Sequence, residues 1–196
     1  MAERKAKVTR ETAETSIKVE LNIDGSGKFE ITTGIRMFDH FLSQLAQHGV
    51  FDIKISGTGA DQHHVVEDVA ISLGKALNQA LGEKQGITRM AHAVVPMDEA
   101  LAAVVVDIGG RAYSVIEASF TSVNIGDLCA DLVRHFLVSF ASEAKINLHA
   151  KVITGINDHH KAEALFKALG RALDSATRID ERLTGRIPST KEVIES

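Results

Sequence analysis

The word His-His-x-x-Glu is written twice in this chain, as His63-His64-Val65-Val66-Glu67 and as His159-His160-Lys161-Ala162-Glu163, 96 positions apart. Imidazole nitrogens and a carboxylate at this density are typical ligands of a transition metal. On a helix the Glu lies three and four residues beyond the two imidazoles, so either pairing shares one face. The adjacent histidines point about 100° apart around a helix of about 3.6 residues per turn. They cannot readily hold the same ion, so at least two metal sites are expected, with ligands shared between them.

A single such word is as readily a structural pair of histidines as a ligand set. Repetition decides between the two. Gly59-x-x-x-His63-His64-x-x-Glu67 is echoed by Gly155-x-x-x-His159-His160-x-x-Glu163, and Leu73-Gly74-Lys75-Ala76-Leu77 by Leu169-Gly170-Arg171-Ala172-Leu173. Upstream, His40-Phe41-Leu42 matches His135-Phe136-Leu137 at an offset of 95, consistent with one deleted residue. Matches in one order at nearly one offset mark an internal duplication, which dictates architecture. Eight ligand-type groups recur in register: His40, His63, His64 and Glu67, then His135, His159, His160 and Glu163. They suffice for two ions with three histidines and one carboxylate each. Mixed imidazole and carboxylate without thiolate suits Mn, Fe, Co or Zn.

The elements that must position these groups are legible from periodicity. Ile17–Ile23 alternates as a half-buried strand, Asp24-Gly25-Ser26-Gly27 is a turn, and 28–32 returns. Residues 38–48 read as a helix and 51–56 as a strand. Val66, Val69, Ala70, Leu73, Leu77 and Leu81 form a helical stripe ending near Gly82. In the second half 91–95, 101–108 and 112–120 read as strands, 127–144 as a helix and 147–154 as a strand. Ala162, Leu165, Phe166, Leu169 and Leu173 form a second stripe. The fold class expected is α+β, a tandem duplication of a β-β-α-β-α half in one domain with pseudo-twofold symmetry, its sheets packed against helices. The halves run roughly 8–90 and 91–182, followed by a C-terminal arm, 183–196.

A net charge of -4 argues against a general nucleic-acid or anionic-membrane binder. The longest apolar run, Ala100 to Val106, is too short to span a bilayer. The N-terminus carries basic residues without an apolar stretch, so no secretory signal is expected. Cys129 is alone, which excludes an internal disulfide and fits a cytoplasmic location. Arg89, Arg111, Lys167 and Lys191 are individually ordinary surface cations. Arg111 stands out slightly because it follows Asp107-Ile108-Gly109-Gly110, a strand end with a small-residue turn open to a ligand. Ser189-Thr190-Lys191 could donate to a phosphate. No P-loop, dinucleotide fingerprint or Ser/His/Asp elbow is present.

Taken together, these residues resemble the imidazoleglycerol-phosphate dehydratase family of histidine biosynthesis over nearly the whole length. The likeness rests on Arg10-x-Thr12-x-Glu14-Thr15, Phe38-Asp39-His40-Phe41-Leu42-x-Gln44-x-x-x-His48-Gly49 and Asp61-x-His63-His64-x-x-Glu67-Asp68. It continues through Pro96-Met97-Asp98-Glu99-Ala100-Leu101, Asp107-x-x-Gly110-Arg111, Asn157-Asp158-His159-His160-x-x-Glu163 and Pro188-Ser189-x-Lys191. The resemblance implies a ribosomal S5 domain 2-like fold and dehydration of imidazole glycerol phosphate to imidazole acetol phosphate. It also implies two Mn2+ ions per subunit and a 24-subunit shell built from trimers whose metal sites join subunits. The eight groups above match its metal ligands. Gln44, His48, Arg89, Arg111, Lys167, Ser189 and Lys191 match its phosphate-binding set, and Met97 a residue beside the imidazole. Glu14 matches an acid/base, acting with His40, His64, Glu67, His160 and Glu163 of the metal sites. In the sequence Glu14 stands just before the first strand and outside both repeats.

The chemistry is consistent with such residues. No carbonyl acidifies the hydrogen that must leave carbon, so the imidazole must be the electron sink. Metal on a ring nitrogen favours the imidazolate, which can expel the adjacent hydroxyl to give a diazafulvene-like intermediate. Loss of the neighbouring proton then gives an enol that ketonises, with a carboxylate moving the protons. Two other classes fit the residues alone: a two-metal phosphohydrolase, and a metal-assembled shell without catalysis.

Overall fold

The computed structural model describes residues 3–194. Strands β1 (Lys5–Glu11), β2 (Thr15–Asn22), β3 (Phe29–Thr32) and β4 (Asp52–Gly59) form a sheet of order β1-β2-β4-β3. Helix α1 (Arg36–Gly49) makes the crossover that lets β3 and β4 run parallel, and α2 (Gln62–Leu81) follows β4. The second half repeats this plan. Strands β5 (Met90–Met97), β6 (Ala100–Asp107), β7 (Tyr113–Glu117) and β10 (Asn147–Thr154) form a sheet of order β5-β6-β10-β7. A small hairpin, β8 (Asn124–Ile125) with β9 (Leu128–Cys129), then α3 (Asp131–Ala144), precedes β10, and α4 (Asp158–Thr177) follows it. Each sheet therefore carries one strand more than the β-β-α-β-α unit. In the first half this is β1, whose Lys-Ala-Lys-Val-Thr-Arg-Glu sequence has too few apolar positions to read as a strand. It is an edge strand held by antiparallel pairing with β2, where charged residues are tolerated.

The helices lie between the two sheets. α1 and α2 pack on the first sheet, α3 and α4 on the second, and α1 meets α4 while α2 meets α3. The repeated Leu-Gly-x-Ala-Leu explains the close approach. A Cβ on Gly74 would lie 2.7 Å from the Phe140 carbonyl oxygen, and one on Gly170 2.7 Å from that of Leu45. Glycine is required because the facing helix backbone occupies the space where a side chain would begin. Phe38, Phe41, Phe136, Phe140 and Phe166 fill the rest of this seam and are fully buried.

Two boundaries differ from expectation by several residues, each for a local reason. The third helix begins at Asp131 rather than 127 because Asp127 is engaged with another helix. Its carboxylate accepts from Arg36 N at 3.0 Å and Met37 N at 2.8 Å. It thereby caps α1, which has no side-chain cap of its own. Strand β7 ends at Glu117 rather than 120, and the chain turns so that the backbone N–H groups of Thr121 and Ser122 reach the buried Asp158 carboxylate at 2.8 and 2.7 Å. The change of offset from 95 to 96 is a β-bulge. In β10 the register against β6 shifts between Val152 and Thr154, leaving Ile153 as the extra residue, whereas β4 pairs with β2 without a break.

Candidate metal centre and substrate site

Each His-His-x-x-Glu word opens a helix, and the N-cap residue two positions before it fixes the first turn. Asp61 accepts from His64 N at 3.0 Å, and Asn157 from His159 N at 2.9 Å. Held this way, the histidines of each pair diverge and take different partners. His159 and Glu163 of α4 meet His40 of α1, and His63 and Glu67 of α2 meet His135 of α3. In each cluster the candidate ligand atoms lie within 4.8 Å of one another. Both clusters cross the duplication, joining a word from one half to a histidine from the other.

In the first cluster Glu163 Oε2 lies 3.0 Å from His40 Nε2 and 2.9 Å from His159 Nε2. Burial raises the Glu163 pKa, but hydrogen bonds from Lys167, His40 and His159 outweigh it and hold the carboxyl at about 2. Lys167 Nζ stands 2.6 Å from the other oxygen. The second cluster is looser. His135 Nε2 is 3.5 Å from Glu67 Oε1, and the rings of His63 and His135 stack with centroids 4.6 Å apart. His135 Nε2 is buried without a hydrogen-bond partner. An orphaned imidazole nitrogen facing a carboxylate fits a cation, since a buried lone pair without a donor is otherwise costly. The position equivalent to Lys167 is Ile71, so Glu67 lacks the cation that Glu163 has.

His64 and His160 join neither cluster. His64 Nε2 lies 3.4 Å from Glu14 Oε2, and its Nδ1 lies 2.9 Å from Asp61 Oδ2 without the alignment of a hydrogen bond. His160 Nδ1 is 2.7 Å from Glu99 Oε2, and its Nε2 is 3.7 Å from Asp98. The hydrogen bond to Glu99 raises the His160 pKa and, with backbone N–H donors, holds Glu99 at about 2. A single chain thus assembles three of the four groups expected for each ion and turns the fourth elsewhere.

Glu14 is not ahead of the first strand, nor outside the repeats. β1 precedes it, and it sits in the β1–β2 turn. Glu11 pairs with Ser16 as Pro96 pairs with Leu101, which makes Glu14 the counterpart of Glu99 at an offset of 85. Sequence reasoning anchored at 95 and 96 gives Glu99, Asp98 and Asp61 no role of their own, although they stand in the motifs that carry the family likeness. An offset scan allowing for the inserted β8–β9 hairpin would have found the Glu14–Glu99 match.

The phosphate-binding candidates fall into two groups. Arg89, Arg111, Ser189 and Lys191 line a cavity of about 920 Å³, the size of a small-ligand pocket. Arg89 adopts φ 75°, a strained conformation for a non-glycine residue. Its guanidinium donates to Asp107 at 2.7 and 3.1 Å and to the Pro188 carbonyl at 2.7 Å, tying the C-terminal arm to the base of β5. Lys167 instead touches Met97 Sδ at 3.3 Å, at the other end of that strand. His48 belongs with Lys167: burial lowers its pKa, and the Lys167 and Arg171 charges lower it further. Gln44 lies one turn away on the same helix. At about 3.3 Å per residue, β5 separates Arg89 from Met97 by roughly 20 Å or more. The two groups therefore lie at opposite ends of β5.

A family model described as imidazoleglycerol-phosphate dehydratase matches residues 33–173. The imidazoleglycerol-phosphate dehydratase of Dehalococcoides mccartyi is 57% identical over 196 residues, covering 100% of both chains. That of Roseiflexus sp. is 56% identical over 97% of this chain and 98% of its own. Among solved structures, the Staphylococcus aureus enzyme superposes with a TM-score of 0.83 at 32% identity, covering 90% of this chain and 99% of that one. The Pyrococcus furiosus enzyme, in complex with (S)-C348, gives 0.83 at 36%, covering 95% and 99%.

Proposed function

This chain belongs to the imidazoleglycerol-phosphate dehydratase family, lyases of histidine biosynthesis, and from that premise we propose a metal-dependent dehydration of imidazole glycerol phosphate to imidazole acetol phosphate. The observation that carries the metal part is the pair of three-residue clusters, His40/His159/Glu163 and His63/Glu67/His135. His64 and His160, diverging from their neighbours, complete the ligand sets. Manganese, two ions per subunit, is the cofactor proposed on the family resemblance, and imidazole–carboxylate ligation without thiolate is compatible with it. A bound ion supplies Lewis acidity to a ring nitrogen of the substrate. Glu163, held anionic beside Lys167, keeps its ligating oxygen deprotonated. Glu14, with a half-exposed carboxylate, moves the protons. Met97 lies beside the imidazole. Arg89, Arg111, Ser189 and Lys191 hold the phosphate from one chain and Gln44, His48 and Lys167 from its neighbour, which fixes the reacting carbon against Glu14.

The test is to incubate the purified protein with imidazole glycerol phosphate and to measure keto product and inorganic phosphate together. Keto product with phosphate retained supports the dehydratase. Free phosphate would indicate a two-metal phosphohydrolase, and no turnover a metal-assembled shell. Arg111→Ala is expected to raise KM about tenfold or more while metal content stays intact, because one charge-assisted contact to phosphate is lost. Unchanged kinetics would return Arg111 to the solvated surface.

The enzyme is proposed to work as a homo-oligomer, a 24-subunit shell of trimers, in the cytoplasm. Among the described residues no helix is long and apolar enough to cross a membrane. Two features support assembly: the divided phosphate set, and the outer face of the second sheet. There Val94 and Val105 are 54% and 48% exposed, whereas the first sheet presents ion pairs such as Lys7–Glu20 and Lys54–Glu30. An apolar sheet face left open in one chain suits burial against another. Stripping metal with a chelator is expected to shrink the particle to trimers, and Mn2+ to restore size and activity. Sedimentation of the stripped and reloaded protein decides it. Unchanged mass after verified metal loss would mean that side-chain packing alone carries the assembly.

A further inference from the structure

The two halves have solved one problem differently. Each presents a histidine outside the clusters, His64 or His160, with two ring nitrogens to manage. In the first half the helix cap is Asp61, a carboxylate 2.9 Å from His64 Nδ1, and the turn residue Glu14 stands 3.4 Å from Nε2. In the second half the cap is Asn157, which is neutral and whose side-chain oxygen already accepts from His159 N at 2.9 Å and His160 N at 3.4 Å. It has no charge to offer the imidazole. Glu99, the counterpart of Glu14, fills that place: its Oε2 stands 2.7 Å from His160 Nδ1.

Glu99 is also fixed where Glu14 is free. Its Oε1 accepts from Asn157 N at 2.8 Å and Ile156 N at 3.1 Å, so the carboxylate is clamped to the loop that opens α4. Its other oxygen faces His160. Among the described residues the Glu14 carboxylate has no such clamp; the hydrogen bonds of its turn run from Glu14 N to Thr12 Oγ1 at 3.1 Å and from Ala60 N to Glu14 O at 3.1 Å, through backbone.

We propose that Glu99 is a positioning residue for His160. Its carboxylate accepts the hydrogen bond from Nδ1–H and so leaves the Nε2 lone pair free for a metal ion, while its twin Glu14 remains available for proton transfer. A ligating imidazole generally has its second nitrogen held in this way, and loss of the holder costs about 10- to 100-fold in metal affinity. The duplicated turn has diverged into a clamped carboxylate that serves the metal and a free one that serves the reaction. This rests on the metal reading of the site.

The decisive variant is Glu99→Gln. Its amide oxygen can keep both backbone hydrogen bonds, but the NH2 group then faces Nδ1 as a donor. That forces the proton onto Nε2 and blocks the metal-binding nitrogen. Mn2+ titration of chelator-stripped protein by calorimetry is expected to show one of two classes of site weakened about 10- to 100-fold. The other class should be unchanged, and so should the melting temperature of the metal-free protein. Glu14→Gln, titrated alongside, should leave both classes at wild-type affinity. Wild-type Mn2+ affinity at both classes in Glu99→Gln would overturn the assignment, as would equal weakening of both with a lowered metal-free melting temperature, which marks Glu99 as merely structural. Failure of the unaltered protein to bind Mn2+ would instead remove the metal reading itself, and this inference with it.

Discussion

His64→Ala and His160→Ala are each expected to remove one of the two ions and to lower turnover by more than about a hundredfold. Losing only the partner that orients a ligand costs about 10- to 100-fold, so losing the ligand itself should cost more. The variants are informative because neither side chain belongs to a cluster within its own chain. A histidine that served only its own fold would leave the clusters His40/His159/Glu163 and His63/Glu67/His135 intact and metal content unchanged. Loss of metal from His64→Ala therefore speaks for ligation across a subunit boundary. The folded chain should survive, since both side chains lie at helix starts, half-buried, and the Asp61 and Asn157 caps bond to backbone N–H groups that alanine retains. Elemental analysis of the purified variants, beside initial rates, checks it. Full occupancy of both sites would remove His64 and His160 from the ligand set.

The duplicated word was legible in the sequence because its spacing is set by one helix turn, and helix geometry is local. The same holds for the stripes that pack α2 and α4 and for the glycines at 74 and 170. What escaped is non-local or depends on a changed offset. Which three candidate ligands come together follows from α1 meeting α4 and α2 meeting α3, a choice no spacing within either half reveals. Glu99 escaped because the β8–β9 hairpin lengthens the second half ahead of α3, so its match to Glu14 falls at an offset of 85. Strand β1 escaped because an edge strand is stabilised by backbone pairing more than by apolar side chains. The proposed phosphate-binding residues come as successive motifs in sequence, but β5 places them in two groups at its opposite ends.

Glu14→Gln is expected to lower the maximal rate by about a hundredfold or more while KM and bound metal change little, the usual scale for losing a general acid or base. Several facts make this a clean substitution. The side chain is 59% exposed, so little packing depends on it. Its turn is held through backbone, by Thr12 Oγ1 accepting from Glu14 N and Thr15 N at 3.1 and 2.9 Å. Thr15 is in turn anchored to the buried Asp68, which also accepts from Arg10 Nε at 2.7 Å. Glutamine preserves the shape and every one of these bonds, removing only the capacity to carry a proton. Position supports the role as well. Glu14 Oε2 lies 3.4 Å from His64 Nε2, so a substrate ring held by an ion on that nitrogen would bring its side chain to the carboxylate. The expected signature is opposite to that of Glu99→Gln, with rate lost and metal retained. Single-turnover kinetics on the Mn2+-loaded variant separate the chemical step from binding. A wild-type rate with both ions in place would move proton transfer to a metal-site carboxylate, Glu67 or Glu163.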